Sequence, residues 1–378
     1  MTESLPSPKE AIEQLLMSMT QFDASDLHLK VGYSPYYRIA GQLRKTHMPP
    51  LPDGSYIEQM LMPMMPEVRR SEFERAGAID FSAPGHGGDR FRINIFRATG
   101  NVHASIRRVL SKIPSFKELH LPDIYEQTTT QTTEGLVLVA GVTGCGKSTT
   151  LASMVELINA TRSLHILTIE DPVEYMFQAK KSIISQREIG IDVPDFQEAL
   201  RSVVRQDPDC ILIGEMRDRE TMAAALQAAE TGHLVFGSLH VSDVQQTFNR
   251  ILEFFPIQEH AFVRSSLANS LRAILCQRLV PGIAEGSRFP VTEVLINNSV
   301  VKDKILREED DSLPAIIDQS SADGMRSFTS SLCEMIESDQ IYYDTAMEFA
   351  PSREALQSAV KGIKTSSHGL VGRKGGMR

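Results

Sequence analysis

The chain has no tryptophan, few cysteines and no apolar run approaching the ~20 residues that cross a bilayer. The missing tryptophan excludes nothing. The four cysteines, Cys145, Cys210, Cys276 and Cys333, form no C-x-x-C pair, which argues against a zinc ribbon. The first residues, Met1 to Glu10, lack the basic-then-apolar pattern of an export signal, so a cytoplasmic location is the expectation. Basic residues are the minority, 39 Lys and Arg against 48 Asp and Glu. A net charge of −9 argues against a protein that coats DNA, although a local basic patch could still bind it. No internal repeat is visible. What is present, 42% hydrophobic and 23% charged residues in 378, suits a soluble globular protein of two or three domains.

Residues 1–112 read as a small α+β domain. Helical spacing from Pro8 to Gln21 puts Ile12, Leu15, Leu16 and Met19 on one side. Asp26 to Val31 alternates as a half-buried strand, and Tyr36–Ile39 and Gln42–Arg44 flank a hairpin turn. A methionine-rich helical stretch, Ile57 to Ala76, is broken at Pro63 and Pro66, and its methionines are read as core filling. Ala78–Ser82 and Arg90–Arg97 are strands around a turn at Gly85-His86-Gly87-Gly88. The second strand sets Arg90, Arg92 and Asn94 against Phe91, Ile93 and Ile95, and Val102–Val109 is a further strand. Residues 113–134, with Pro114 and Pro122, read as a linker whose polar run Gln127–Thr133 is a surface loop or helix end. The second domain is 135–364, and the Gly/Ser-rich basic tail 365–378 reads as disordered.

The second domain opens on a strand, Leu136–Ala140, followed by Gly141-Val142-Thr143-Gly144-Cys145-Gly146-Lys147-Ser148 and a helix from Thr149. This is G-x-x-x-x-G-K-S in its required strand–loop–helix setting. Glycines let backbone N–H groups curl round an anion at the positive end of a helix. Lys147 would reach the β- and γ-phosphates of ATP, and Ser148 would ligate Mg²⁺. Candidate binding residues are therefore Gly141, Thr143, Gly144, Cys145, Gly146, Lys147, Ser148 and Thr149. Strands and helices then alternate: strand Leu164–Ile169, helix Phe196–Arg205, strand Cys210–Ile213, helix Glu220–Glu230 and strand Leu234–Leu239. That is the pattern of a parallel sheet covered by helices, so the fold class is α/β. Gln258–Gln277 reads as helical, Arg278–Pro281 and Phe289–Ile296 as a short strand pair, and more helix follows.

Three constellations accompany the loop. Cys210–Ile213 leads to Gly214-Glu215, a buried strand ending in an acid that could hold Mg²⁺ through water, if it meets the phosphate loop at the ends of neighbouring parallel strands. Glu170-Asp171-Pro172-Val173-Glu174 also ends a strand, and its carboxylates could hold the metal or activate water. Arg201 and Arg205 lie four apart on a helix that Asp195 and Glu198 would cap, and could pair with phosphate, pair with the carboxylates of Asp207, Asp209 and Glu215, or face solvent. His233 and His240 bracket the strand Leu234–Leu239, at a spacing that is not a metal site.

In order, G-V-T-G-C-G-K-S-T-T, T-I-E-D-P-V-E-Y, L-R-S-V-V-R-Q-D-P-D, I-L-I-G-E-M-R-D and T-G-H-L-V-F-G-S-L-H resemble the secretion-type AAA-like motor family, within it the PilT-type pilus retraction ATPases. The likeness runs from Ala24-Ser25-Asp26-Leu27-His28-Leu29 to about Arg307. It implies a PAS-like N-terminal domain and a RecA-like ATPase domain with a helical C-terminal part, assembled as a homohexamer with ATP between the domains. It implies Glu174 as catalytic base, Glu215 as the Walker B acid, and His233 and His240 as the His box. Arg92 and Arg107 would stabilise charge on the γ-phosphate. Implied partners are an inner-membrane pilus platform protein and a paralogous pilus ATPase, with no nucleic acid, and the motor would be peripheral to the inner membrane. One departure stands out: retraction motors carry A-I-R-N-L where this chain has Val300-Val301-Lys302-Asp303-Lys304. A PilU-like accessory motor is the alternative. An assembly motor is disfavoured, because its longer N-terminal domain and tetracysteine zinc site are missing. Outside this class, the rivals are a nucleic-acid-translocating motor and a non-enzymatic ATP-binding subunit.

Overall fold

A computed structural model describes residues 5–39, 41–85, 89–109 and 112–371. The chain forms two compact units. The first comprises Met1–Ile113, Leu167–Lys180 and Ile184–Ser202; the second comprises Pro114–Ile166, Lys181–Ile183 and Val203–Arg378.

The first unit begins with helix α1 (Pro8–Gln21), started by a reciprocal cap between Ser7 and Glu10. The expected stripe of Ile12, Leu15, Leu16 and Met19 is its buried face. Strands β1 (Asp26–Leu29), β2 (Tyr36–Ile39) and β3 (Gln42–Lys45) follow, with β2 and β3 paired as the expected hairpin. The methionine-rich stretch becomes α2 (Gly54–Leu61), a 3-10 turn Met62–Met64 and α3 (Glu67–Ala76). Its breaks fall at Pro63 and Pro66, since proline has no N–H for a helical bond. Met60 and Met65 are buried, and Met62 and Met64 pack against the same core. Strands β4 (Ala78–Pro84), β5 (Arg90–Ala98) and β6 (Asn101–Val109) complete an antiparallel sheet of order β3-β2-β1-β6-β5-β4. Phe91, Ile93 and Ile95 of β5 face the core as their alternation requires. The turn expected at Gly85-His86-Gly87-Gly88 falls largely on residues 86–88, which lie outside the described residues.

The second unit starts with helix α4 (Asp123–Gln131), strand β7 (Gly135–Ala140) and helix α5 (Lys147–Thr161). Helix α4 occupies the stretch read as a linker and packs on α5. Thr128 and Thr129 of its polar run are buried, and the Thr129 hydroxyl donates to the Tyr125 carbonyl at 2.7 Å. The chain passes into the first unit part-way along β8 (His165–Glu170). Strand β9 (Ile183–Glu188), which has no counterpart in the sequence reading, lies beside β8, and helix α6 (Phe196–Val203) follows. Helix α6 was expected to reach Arg205; it stops at Val203, and a 3-10 turn leads to Asp207 in the left-handed region, just before Pro208.

Next come β10 (Cys210–Ile213), α7 (Arg219–Glu230), β11 (Leu234–Leu239), α8 (Val244–Glu253), α9 (His260–Ser270), β12 (Leu271–Pro281) and β13 (Arg288–Ile296). Five strands of this unit lie in the order β13-β12-β7-β11-β10, antiparallel only between β12 and β13. Residues Leu271–Gln277 correct the helix read through them. They are strand, and Leu271, Ala273, Ile274, Leu275 and Cys276 are all fully buried. A strand covered on both faces shows a continuous apolar run with no period to separate it from helix. Helices α10 (Ser299–Leu306), α11 (Leu313–Gln319), α12 (Phe328–Glu337), α13 (Tyr343–Phe349) and α14 (Arg353–Val371) close the chain. Helix α14 carries helical structure into the tail expected to be disordered from 365; residues 372–378 lie outside the described residues. No helix among the described residues is long and apolar enough to cross a membrane.

Candidate active site

The phosphate loop is shaped by its own backbone. Gly141 has φ +156°, and a Cβ there would meet the Cys145 thiol and come within 2.5 Å of the Gln277 carbonyl oxygen. Gly146, at φ +94°, is the N-cap of α5 and supplies no side-chain cap. The first N–H groups of α5 are thus not covered by a capping side chain. Lys147 is 8% exposed, and its Nζ donates to the Gly141 carbonyl at 2.8 Å and the Val142 carbonyl at 3.2 Å. Thr143, Gly144 and Ser148 are exposed, Thr149 is half-buried and the Cys145 thiol points inward, its pKa raised by burial. A glycine cradle, an uncapped helix start and an ammonium held over them fit an anionic phosphate.

Glu215 follows β10 in the same unit. Strand β11 separates β10 from β7, so the two strands are not neighbours as the sequence reading had them. All three are parallel, which brings the loops after them to one edge. Glu215 Oε2 accepts from Arg217 at 2.6 Å, and Oε1 lies 3.4 Å from His240 Nε2. Burial works against ionisation of Glu215, but the Arg217 hydrogen bond and charge, with His240 and Lys147, hold its pKa below the usual value. Burial and the Lys147 charge lower the His240 pKa, against the pull of Glu215. This edge therefore brings a carboxylate, an imidazole and an ammonium together. His233 is not part of it. In the register of β11, Leu234 is opposite Gly135 and Leu239 opposite Ala140, so about 20 Å of strand separates the two histidines. The His233 ring instead contacts the Ala228 carbonyl at 3.0 Å and the Thr231 hydroxyl at 3.1 Å.

Glu170 and Glu174 belong to the first unit. Glu170 is 8% exposed; its Oε1 accepts from the Thr168 hydroxyl at 2.7 Å and its Oε2 from the Glu174 N–H at 3.4 Å. Burial pushes the Glu170 carboxyl up to about 7, partly offset by those bonds. Glu174 is half-buried. Arg92 and Arg107 sit directly opposite each other on β5 and β6. Two like charges at such a site repel. Here carboxylates are interleaved: Arg107 Nε donates to Asp26 at 2.9 Å and Arg92 lies 3.9 Å from Asp80. Arg201 is exposed, 3.5 Å from Glu198, while Arg205 lies in the 3-10 turn beyond the helix. The single helix face expected to carry both arginines is thereby broken. The Asp195 cap is present, its carboxylate accepting from the Glu198 N–H at 2.8 Å.

Residues 3–309 match the Type II/IV secretion system protein family. The chain belongs to that family. Its relatives include the type IV pilus retraction ATPase PilT of Pseudomonas aeruginosa, 38% identical over 339 residues that span 90% of this chain and 98% of PilT. The type IV pilus ATPase PilU of the same organism is 36% identical over 349 residues, 92% of this chain and 91% of PilU. A crystal structure of the pilus retraction motor PilT with bound ADP matches at a TM-score of 0.85 and 38% identity, covering 92% of this chain and 99% of that one.

This secretion-family chain also uses residues that no motif marks. Gln277, 1% exposed on β12, donates to the Cys145 carbonyl at 2.8 Å and accepts from the Thr150 hydroxyl at 3.0 Å, bracing the phosphate loop. The next residue, Arg278, donates to the Ser242 carbonyl at 3.2 Å in the loop after His240 and stacks on the Phe328 ring at 4.2 Å. Glu293 accepts from the Val244 N–H at 2.8 Å, and burial pushes its carboxyl up to about 7. The one available signal is a polar pair, Gln277-Arg278, following four apolar residues, 273–276.

Proposed function

We propose that the chain is a cytoplasmic ATPase subunit that powers type IV pilus retraction, as a homohexamer on an inner-membrane platform protein. The observation that carries this reading is the end-to-end likeness to PilT, which covers 98% of PilT. ATP is the substrate. Lys147 and the N–H groups from Gly141 to Thr149 would bind its phosphates, the geometry described for the loop being suited to them. Mg²⁺, held by Ser148 and, through water, by Glu215, would neutralise phosphate charge. Glu174 takes the proton of the attacking water, or orients it, as general base. Arg92 and Arg107, with Arg201, supply positive charge, and His240 is the remaining candidate for sensing the γ-phosphate.

The deciding experiment expresses this chain alone in a strain lacking its retraction ATPases and measures fibre retraction. Restored retraction supports the principal-motor reading. A second reading, an accessory motor that works beside a paralogue, is favoured by the changed stretch Val300–Lys304 and by the likeness to PilU. It predicts full ATPase activity in vitro and no retraction without the paralogue. DNA-stimulated hydrolysis would instead support a nucleic-acid motor, and tight nucleotide binding without turnover would support a structural subunit.

A further inference from the structure

From Asp171 to Lys180 the chain has no helix or strand, yet this stretch carries Glu174. Backbone polar groups in a partly buried loop need partners, and side chains can supply them. Here they come largely from one face of β9. Gln186 Oε1 accepts from the Phe177 N–H at 3.0 Å, and Gln186 Nε2 donates to the Tyr175 carbonyl at 2.8 Å and to Glu170 Oε1 at 3.4 Å. Two residues on, Glu188 Oε2 accepts from the Val173 N–H at 3.2 Å. Positions i and i+2 of a strand share a face, so both side chains reach the same loop. Glu188 is 3% exposed, and its charge is met by Arg90 Nη2 at 2.5 Å, at the start of β5. Arg90 also reaches Met176 Sδ at 3.1 Å in the loop itself. Amides or carbonyls on both sides of Glu174 are thus fastened by a pair of side chains, and the Glu174 amide by Glu170.

We propose that Gln186 and Glu188, with Arg90 as counter-ion of Glu188, are positioning residues that hold the loop of Glu174 in register for water activation. The inference rests on Glu174 being the general base. Catalytic groups misplaced by about 1 Å can lose on the order of 100-fold in rate without losing substrate. The bracket therefore acts on turnover rather than on binding.

The test uses the full chain with Gln186→Met, Glu188→Met and Glu188→Gln. Turnover is measured with ATP, affinity with a fluorescent ADP analogue, and loop opening by amide hydrogen exchange over 171–178 and over the phosphate loop. For Gln186→Met the expected result is a fall in kcat of about 30- to 100-fold, KM and ADP affinity within about twofold, and exchange of 171–178 at least about tenfold faster. Exchange of the phosphate loop stays as in the parent. Glu188→Gln keeps an oxygen for the Val173 N–H and recovers most of the turnover and protection that Glu188→Met loses. Glu188→Met leaves Arg90 without its partner carboxylate and can unfold the unit, so Gln186→Met, which strands no charge, is decisive. Turnover within about twofold of the parent in folded, ADP-binding Gln186→Met overturns the bracket. So does lost turnover with unchanged exchange of 171–178. Glu174→Gln, run alongside, separates the failures: if it keeps turnover, the base assignment falls; if it alone loses turnover, the bracket falls.

Discussion

The phosphate loop and the loop of Glu174 each follow a strand, but they are held in opposite ways. The first is shaped by three glycines at positive φ, the start of α5 and a lysine that folds back on its own carbonyls. Its neighbours in sequence do nearly all the work, and Gln277 adds one brace from outside. The second has no glycine from Asp171 to Lys180 and is fastened by Gln186 and Glu188, side chains from a later strand. A backbone-built loop binds an invariant group such as phosphate. A loop built on side chains can be retuned one hydrogen bond at a time.

The largest expected effect comes from Lys147→Ala. It should abolish measurable ATP turnover, a fall of ~10³-fold or more, and weaken nucleotide binding as well. Retained turnover would sink the assignment of the phosphate site. Glu174→Gln should lower kcat by ~10²- to 10⁴-fold while a fluorescent ADP analogue binds as before. A matching loss of affinity there would erase the distinction between a binding loop and a reacting loop. Gln277→Ala should reduce stability by about 1–3 kcal/mol in urea unfolding, because it strands the buried Cys145 carbonyl and Thr150 hydroxyl, and nucleotide affinity should fall with it. An unchanged affinity would show that the glycines need no outside brace.

The smallest effect is a pH dependence. The folded pKa of Glu170, about 7, lies above its ordinary value of 4.5. The native state therefore binds its proton more tightly than the unfolded chain. Stability from the neutral acid is fully present below the unfolded pKa and is lost as pH rises through the folded one. Melting of Glu170→Gln should consequently be flatter than that of the parent between about pH 5 and pH 8. Parallel curves would place the Glu170 carboxylate in a far more polar setting than its burial indicates.

What could be read from sequence follows the same division. The stripe of α1, the hairpin of β2 and β3, the two breaks in the methionine-rich helices and the phosphate loop depend on residues a few positions apart, so their pattern is local. Leu271–Gln277 misled because a strand buried on both faces has no period. The polar strand β9 went unseen because its partners are loop amides rather than an apolar layer. Gln277 and Glu188 act on residues 132 and 15 positions away, a distance no spacing rule spans. Spacing reads Arg205 as helical, and the end of α6 at Val203 puts it in a 3-10 turn, while His233 lies at the opposite end of β11 from His240, as its bracketing position implies.

The first unit is assembled from three stretches of chain, 1–113, 167–180 and 184–202. Recombination between relatives is constrained accordingly. A crossover near residue 113 would join the N-terminal sheet of one parent to 167–202 of another. It would part Arg69 from the Ile189 carbonyl it holds at 2.6 Å and Arg90 from Glu188. Chimeras that take all three stretches from one parent keep those bonds, so viable exchanges should be found by counting ancestry across the three together rather than by cutting at a motif.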